Sequence, residues 1–366
     1  MLGRLKSLTT LFGVGVNIAG GALIVPLLSA KADPARTPTL TGVNISGAEY
    51  NGERVPGQHL TDYIYPTPSQ LNYYAGKGMN VIRLPFAWER LQPNSLATLS
   101  HTELHLIDSV ISSSAARGMD VIISPHNFGK YYSQPIGSPT SSIENFVRFW
   151  GQVGAHFKSN GKVIFGLMNE PVGIPINVWR VAAQGAVDAI RDAGAPNLIL
   201  VPGVNWTGAH SWTKPTPGGG APNAVAMLDL RDPINNYVYE VHQYLDEDFS
   251  GTSDRCQSDS IGVDTLREFT AWLEMHGQRG FLGEFGAGRN PTCLVGLDKM
   301  LGFIAENSRM WLGWTYWAGG AWWGDYKLGV EPVNGADTPQ MAIITRHAHG
   351  TGFAGTSGAS RSSGSN

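Results

Sequence analysis

The chain has 366 residues, of which 42% are hydrophobic and only 15% charged. That balance excludes an extended disordered protein and supplies apolar surface for one large core or two ordinary ones. The formal net charge of −3, with no long basic run, argues against nucleic acid as a partner.

The first 32 residues stand apart. Arg4 and Lys6 give a short basic start, an apolar stretch runs from Leu8 to Leu28, and Ala30-Lys31-Ala32 offers an A-x-A cleavage site. Residues 1–32 are therefore expected to be a secretory signal peptide, cut after Ala32, with no stable membrane insertion afterwards. An uncleaved anchor is the alternative, although Asn17, Pro26 and several glycines weaken a spanning helix. The expected location is secreted or periplasmic.

From residue 38 the pattern alternates strand and helix. Strands are predicted at 39–46, 80–86, 120–126, 163–169, 197–202, 238–244, 280–284 and 311–317. Most are continuous apolar runs, the mark of parallel strands buried on both faces. Helices are predicted at 102–117, with Ser100 as N-cap, and at 142–157, 178–193, 265–276, 294–306 and 339–347. Residues 203–236 are rich in Pro and Gly and read as long loops with short helical pieces. Eight strands in this rhythm predict an α/β fold, a (β/α)8 TIM barrel forming a single catalytic domain over residues 38–349. An open doubly wound sheet is the alternative, disfavoured because no Gly-rich phosphate loop follows an early strand. Residues 351–366 are Gly- and Ser-rich and read as a disordered tail.

Cys256 and Cys293 follow the sixth and seventh predicted strands. Neighbouring loops at one end of a barrel could bring them within bonding distance, and export would permit a disulfide. Two free thiols are the other possibility.

In such barrels the chemistry sits at the C-terminal ends of the strands. Those positions hold Arg83, His126, Asn127, Asn169, Glu170, His242, Tyr244, Glu284 and Trp317. Singly, each has a plain structural explanation, such as a buried ion pair or a satisfied core histidine. Together they make a polar mouth where packing alone would keep Val, Ile or Leu. Glycoside hydrolysis needs two carboxyl groups in different states, one protonated to serve the leaving oxygen and one ionised to attack the anomeric carbon. Glu170 is the expected acid/base and Glu284 the expected nucleophile. Arg83 is placed to keep Glu284 ionised, and Tyr244 to donate to the same carboxylate. The Asn169 amide suits the sugar 2-hydroxyl. His242 suits a contact with Glu170 or the sugar, and His126 a hydroxyl on the nonreducing side. The chain also carries 11 Trp and 12 Tyr. Indole faces suit the C–H faces of sugar rings, so Trp88, Trp206, Trp212, Trp317, Trp322 and Trp323 are expected around the cleft, whereas Trp311 and Trp314, inside the eighth strand, are expected in the core.

These residues resemble glycoside hydrolase family 5, and within it the cellulase branch. The resemblance rests on Asn169-Glu170-Pro171, Val241-His242-Gln243-Tyr244 and Gly283-Glu284-Phe285-Gly286, and spans about residues 38 to 349. Trp88-Glu89-Arg90-Leu91-Gln92-Pro93 and Trp323-Gly324-Asp325-Tyr326-Lys327 are similar to the endo-β-1,4-glucanase branch in particular. By resemblance, Arg83, His126, Asn169, Glu170, His242, Tyr244, Glu284 and Trp317 are the functional positions, Lys327 joins the outer binding surface, and a disulfide between the two loops is in keeping with the family. The resemblance implies a retaining β-glucan hydrolase, with a covalent glycosyl-enzyme open to transglycosylation, a β-glucan polysaccharide or oligosaccharide as partner, and no metal or organic cofactor.

Rival readings are a sibling β-glycanase (mannanase, xyloglucanase or β-1,3-glucanase), which would share the catalytic groups, and a noncatalytic glucan-binding barrel, which would not need both glutamates. His101 and His105 have the spacing of a metal pair but fall on a helix with no third ligand, so a solvated face is expected. There is no H-E-x-x-H motif and no G-x-S-x-G elbow.

Overall fold

Eight parallel strands close on themselves in a computed structural model that describes residues 38–348. The expected leader (1–32) and tail (351–366) lie outside the described residues. The barrel strands are β1 (Leu40–Ile45), β2 (Val81–Phe86), β3 (Asp120–Pro125), β4 (Val163–Gly166), β5 (Ile199–Pro202), β6 (Tyr237–His242), β7 (Gly280–Glu284) and β8 (Trp311–Gly319). Each pairs in parallel with its neighbour in sequence, and β8 pairs back onto β1. The doubly wound alternative is thereby set aside. The continuous apolar runs have their physical reason here, since every residue of β2 and β8 is buried, with the barrel interior on one side and the helical ring on the other.

The helical ring comprises α1 (Pro68–Gly76), α2 (His101–Ala115), α3 (Ile143–Phe157), α4 (Ile176–Asp192), α5 (Ile261–Met275), α6 (Pro291–Glu306) and α7 (Pro339–His347). The Ser100 hydroxyl caps α2 by accepting from the Glu103 amide, and Ser142 does the same for α3 through Asn145. Each such cap contributes about 1 kcal/mol. The helix α1 is an addition to the sequence reading. Its signal was a capping box, in which Thr67 accepts from the Gln70 amide and the Gln70 side chain accepts from the Thr67 amide. Between β5 and β6 the chain holds only short helical pieces, as expected. No helix among the described residues is long and apolar enough to cross a membrane.

The bottom of the barrel is sealed by a layer in which every strand contributes an apolar side chain. Val81, Ile122, Ile164, Leu200, Val238, Phe281 and Leu312 pack together with Leu40 against them. Because side chains alternate along a strand, the residues two positions further on point inward one layer higher. On β2 that residue is Arg83, and on β6 it is Glu240. The floor thus fixes where the polar layer begins. At the mouth, Cys256 and Cys293 are bonded, with Cα atoms 5.3 Å apart, tying the loop after β6 to the start of α6. His101 and His105 are both exposed on α2, the solvated face expected of them.

Candidate active site

Arg83 is the hub of the polar layer and has no exposed surface. One guanidinium nitrogen donates to Glu284 Oε1 at 2.6 Å and to Asn44 Oδ1 at 2.9 Å. The other donates to Asn169 Oδ1 at 2.9 Å and to Ser124 Oγ at 3.2 Å. Its Nε stands 3.1 Å from Glu240 Oε1. A planar five-donor fork is the group able to hold acids and amides from several strands at once. Asn44 is locked in turn by donating to the Gly283 and Thr315 carbonyls, at 2.9 and 3.1 Å, so β1, β2, β7 and β8 share one network.

The two glutamates reach this layer from different elements. Glu284 ends β7 and is 3% exposed. Tyr244 donates its hydroxyl to Glu284 Oε2 at 3.1 Å. Glu170 does not end a strand, because β4 stops at Gly166 and the next residues form a loop. Glu170 sits there with φ 42°, in the left-handed region that costs a non-glycine residue about 1 kcal/mol or more. That turn swings its carboxylate toward β6, where His242 Nδ1 lies 2.7 Å from Glu170 Oε1. His242 also lies 3.4 Å from Glu240 through Nε2 and 3.6 Å from Glu284 through Nδ1. One oxygen of each glutamate and a ring nitrogen of His242 lie within 4.8 Å of one another. Two acids and an imidazole at that spacing resemble a cation site, but Arg83 already supplies the positive charge at Glu284.

The electrostatics follow from burial and this short circuit of charges. Burial pushes Glu284 above the ordinary carboxylate range, with Glu170 adding to the rise, while His242, Arg83 and the Tyr244 hydrogen bond pull it down. Arg83 thus favours the ionised form as expected, without overcoming burial. Burial works against charge on His242, but Glu284, Glu170 and Glu240 outweigh it and push the ring up to about 9. Burial, with Arg83 and His242 nearby, holds His126 well below its usual value, hence neutral. Glu240 is held low because Arg83 and His242 outweigh its burial.

The aromatic wall forms beside these groups. His126 stacks on Trp317, with ring centres 5.3 Å apart and planes 15° apart, and Asn169 Nδ2 is 3.4 Å from His126 Nε2. Trp323 meets Trp317 edge-on at 6.0 Å and stacks on Tyr326 at 4.3 Å. Trp206 is 49% exposed and edge-on to Phe128, which in turn meets His126 edge-on, and Trp322 is 39% exposed. Lys327 pairs with Asp325 at 2.6 Å on the solvent-facing rim.

Two expectations are corrected. Trp88 is fully buried, not in the cleft, because the helical turn Trp88–Leu91 rotates its ring inward against Tyr131, Phe146 and Phe149. Trp212 is likewise buried, packed on Phe269 and Trp272. Asn127 is half-buried beside His126 and lines the same cavity, accepting from the Trp88 amide at 2.8 Å and donating to Glu89 at 2.6 Å. Trp311 and Trp314 are in the core, as expected.

Other groups of the site went unread in the sequence. Asn44 and Glu240 both lie inside apolar strands, and their inward direction was readable from strand alternation. Glu49, in the loop after β1, accepts from Ser46 and from the Gly47 amide. Burial raises it to about 7, against those two hydrogen bonds. Nothing local in its sequence signals this.

The comparisons with known proteins agree with the geometry. The family model described as cellulase (glycosyl hydrolase family 5) matches residues 40–320. Among characterised relatives, endo-beta-1,4-glucanase B of Aspergillus niger is 39% identical over 328 residues, covering 89% of this chain and 95% of that protein. Among solved structures, the endo-beta-1,4-glucanase Xac0029 from Xanthomonas axonopodis pv. citri is 49% identical with a TM-score of 0.83, covering 85% of this chain and 98% of that one. XacCel5A, solved in complex with cellopentaose, is 47% identical with a TM-score of 0.83, over 85% and 99% of the two chains. A match running through the barrel, with relatives aligned over nearly their whole length, means that this chain belongs to the cellulases of glycosyl hydrolase family 5.

Proposed function

We propose that the protein is a retaining endo-β-1,4-glucanase that cuts internal bonds of cellulose or related β-glucans. The observation that carries the mechanism is the approach of Glu170 and Glu284 to within 4.8 Å across the barrel mouth. Retaining glycosidases place their carboxyl groups about 5 to 5.5 Å apart, whereas inverting enzymes leave a wider gap for water. In the first step a Glu284 oxygen attacks the anomeric carbon as Glu170 protonates the departing glycosidic oxygen, and the glycosidic C–O bond breaks. In the second, Glu170 takes a proton from water, the water oxygen attacks the same carbon, and Glu284 leaves as carboxylate. A sugar hydroxyl in place of water gives transglycosylation. Arg83 and Tyr244 hold Glu284 in line, and Trp317 with His126 floors the sugar next to the bond. Trp323 and Trp206 extend the platform to either side, with Lys327 at its edge.

Substrate choice follows the relatives, which are named as β-1,4-glucanases. We also propose export, supported by the leader sequence and by the disulfide. The test is product analysis on carboxymethyl-cellulose, barley β-glucan, mannan, xyloglucan and laminarin, with Glu170→Gln and Glu284→Gln alongside. Rapid viscosity loss on the first two substrates, abolished in both variants, is expected. Preference for mannan, xyloglucan or laminarin would keep the chemistry and replace the substrate. Unchanged turnover in Glu284→Gln would sink the nucleophile assignment.

A further inference from the structure

Glu240 takes no part in the steps above, yet it is wholly enclosed in the barrel. It lies on the inward face of β6, two residues before His242. Its Oε1 faces Arg83 Nε at 3.1 Å and His242 Nε2 at 3.4 Å, and its Oε2 is buried with no hydrogen-bond partner among the described residues. Room for it is made from the next strand, since a Cβ on Gly283 would stand 2.1 Å from Glu240 Oε1. A buried acid of this kind is destabilising unless it is paired, and Arg83 and His242 are its partners.

The pairing continues on both sides of Glu240. Glu170, His242, Glu240, Arg83 and Glu284 form an unbroken chain with successive separations of 2.7, 3.4, 3.1 and 2.6 Å. These are the charged groups that face His242, coming from β2, the loop after β4, β6 itself and β7. Tyr244, which donates to Glu284, and the neutral His126 are further titratable groups of the cluster. With both cations charged, Glu170 and Glu284 alone would balance them. Glu240 tips the cluster to a net negative charge and so favours an added proton.

We propose that Glu240 is a positioning residue for the reaction: it keeps the His242–Glu170 pair loaded with the proton that Glu170 delivers, and it aims His242 Nδ1 at Glu170. The inference rests on Glu170 being the acid/base.

The test is the pH dependence of kcat/KM for Glu240→Gln, Glu240→Asp and the wild type. Two aryl β-cellobiosides serve as substrates, one whose leaving group needs protonation and one whose leaving group does not. Removing the negative charge lowers the proton affinity of the pair, so the alkaline limb of Glu240→Gln should move to lower pH by about one unit or more. The loss should be confined to the leaving group that needs a proton, with little change in KM, and Glu240→Asp should restore the limb toward wild type. An unmoved limb, or equal loss on both leaving groups, overturns the proposal. Glu170→Gln run alongside separates two failures. Full activity there on the leaving group that needs a proton overturns the acid assignment itself and the role of Glu240 with it. Lost activity there on that leaving group, beside an unmoved Glu240→Gln limb, overturns the role of Glu240 alone. Should Glu240→Gln fail to fold, nitrogen NMR of the His242 ring in the wild type decides, with the signal identified by its absence in His242→Asn. Protonation of both nitrogens up to about pH 8 supports the proposal, and a ring already neutral at about pH 7 overturns it.

Discussion

Replacing Tyr244 with Phe removes one atom from the centre of the cluster and leaves its packing in place. Tyr244 is 7% exposed and Glu284 3%, so water does not substitute for the lost hydroxyl. A hydrogen bond to a charged group contributes about 1.5–3 kcal/mol. The 3.1 Å separation is longer than the strongest O–H···O⁻ contacts, which places the value near the middle, about 2 kcal/mol. The bond is made to the ionised carboxylate and therefore lowers the proton affinity of Glu284. Its loss raises that affinity by roughly one to two pH units, at 1.36 kcal/mol per unit. The acidic limb of kcat/KM should move up by that amount, with activity falling roughly 10- to 100-fold below the limb and far less above it. The assay is steady-state hydrolysis of an activated aryl cellobioside from about pH 4 to about pH 9, with circular dichroism to confirm the fold. An acidic limb that stays in place or moves down would refute the reasoning.

Further outcomes follow from other parts of the structure. Replacing Cys256 and Cys293 together by Ala opens a loop with a sequence separation of 37, which the chain-entropy description values at about 4 kcal/mol. The melting temperature should fall by roughly 5–8 °C, as calorimetry would read directly. Trp88→Ala should destabilise by about 3–5 kcal/mol in denaturant titration while leaving KM unchanged, because the ring packs in the core and not on the sugar. Glu49 is raised in the folded state to about 7 from an ordinary value of 4.5, so the folded state binds more protons than the unfolded between those values and stability falls as pH rises through them. Glu49→Gln should therefore raise the melting temperature at pH above that window and change it little below. A gain that was largest in acid would contradict the sign.

The elements that were readable in the sequence were those whose signal is local. Parallel strands buried on both faces advertise themselves as unbroken apolar runs, and a charged or amide side chain within or at the end of such a run stands out, as Arg83, Asn169 and Glu284 do. The signal weakened where rotation about the chain decides the outcome. Trp88 lies beside the mouth in sequence, but a helical turn directs its ring into the fold. Glu240 was legible in principle, since a strand sends residues i and i+2 the same way and His242 had been singled out. Glu49 was not, because its surroundings are set by a turn in which Ser46 and the Gly47 amide donate to its carboxylate.

The apolar floor also governs how the cluster meets its solvent. Leu40, Val81, Ile122, Ile164, Leu200, Val238, Phe281 and Leu312 close the tube below Arg83 and Glu240, so mobile ions approach only from the open end. Charges held in such a blind well are shielded by salt far less than charges on a surface. The proton affinities that set the reaction are thereby fixed by the strands themselves, and the pH profile should keep its shape from dilute buffer to brine.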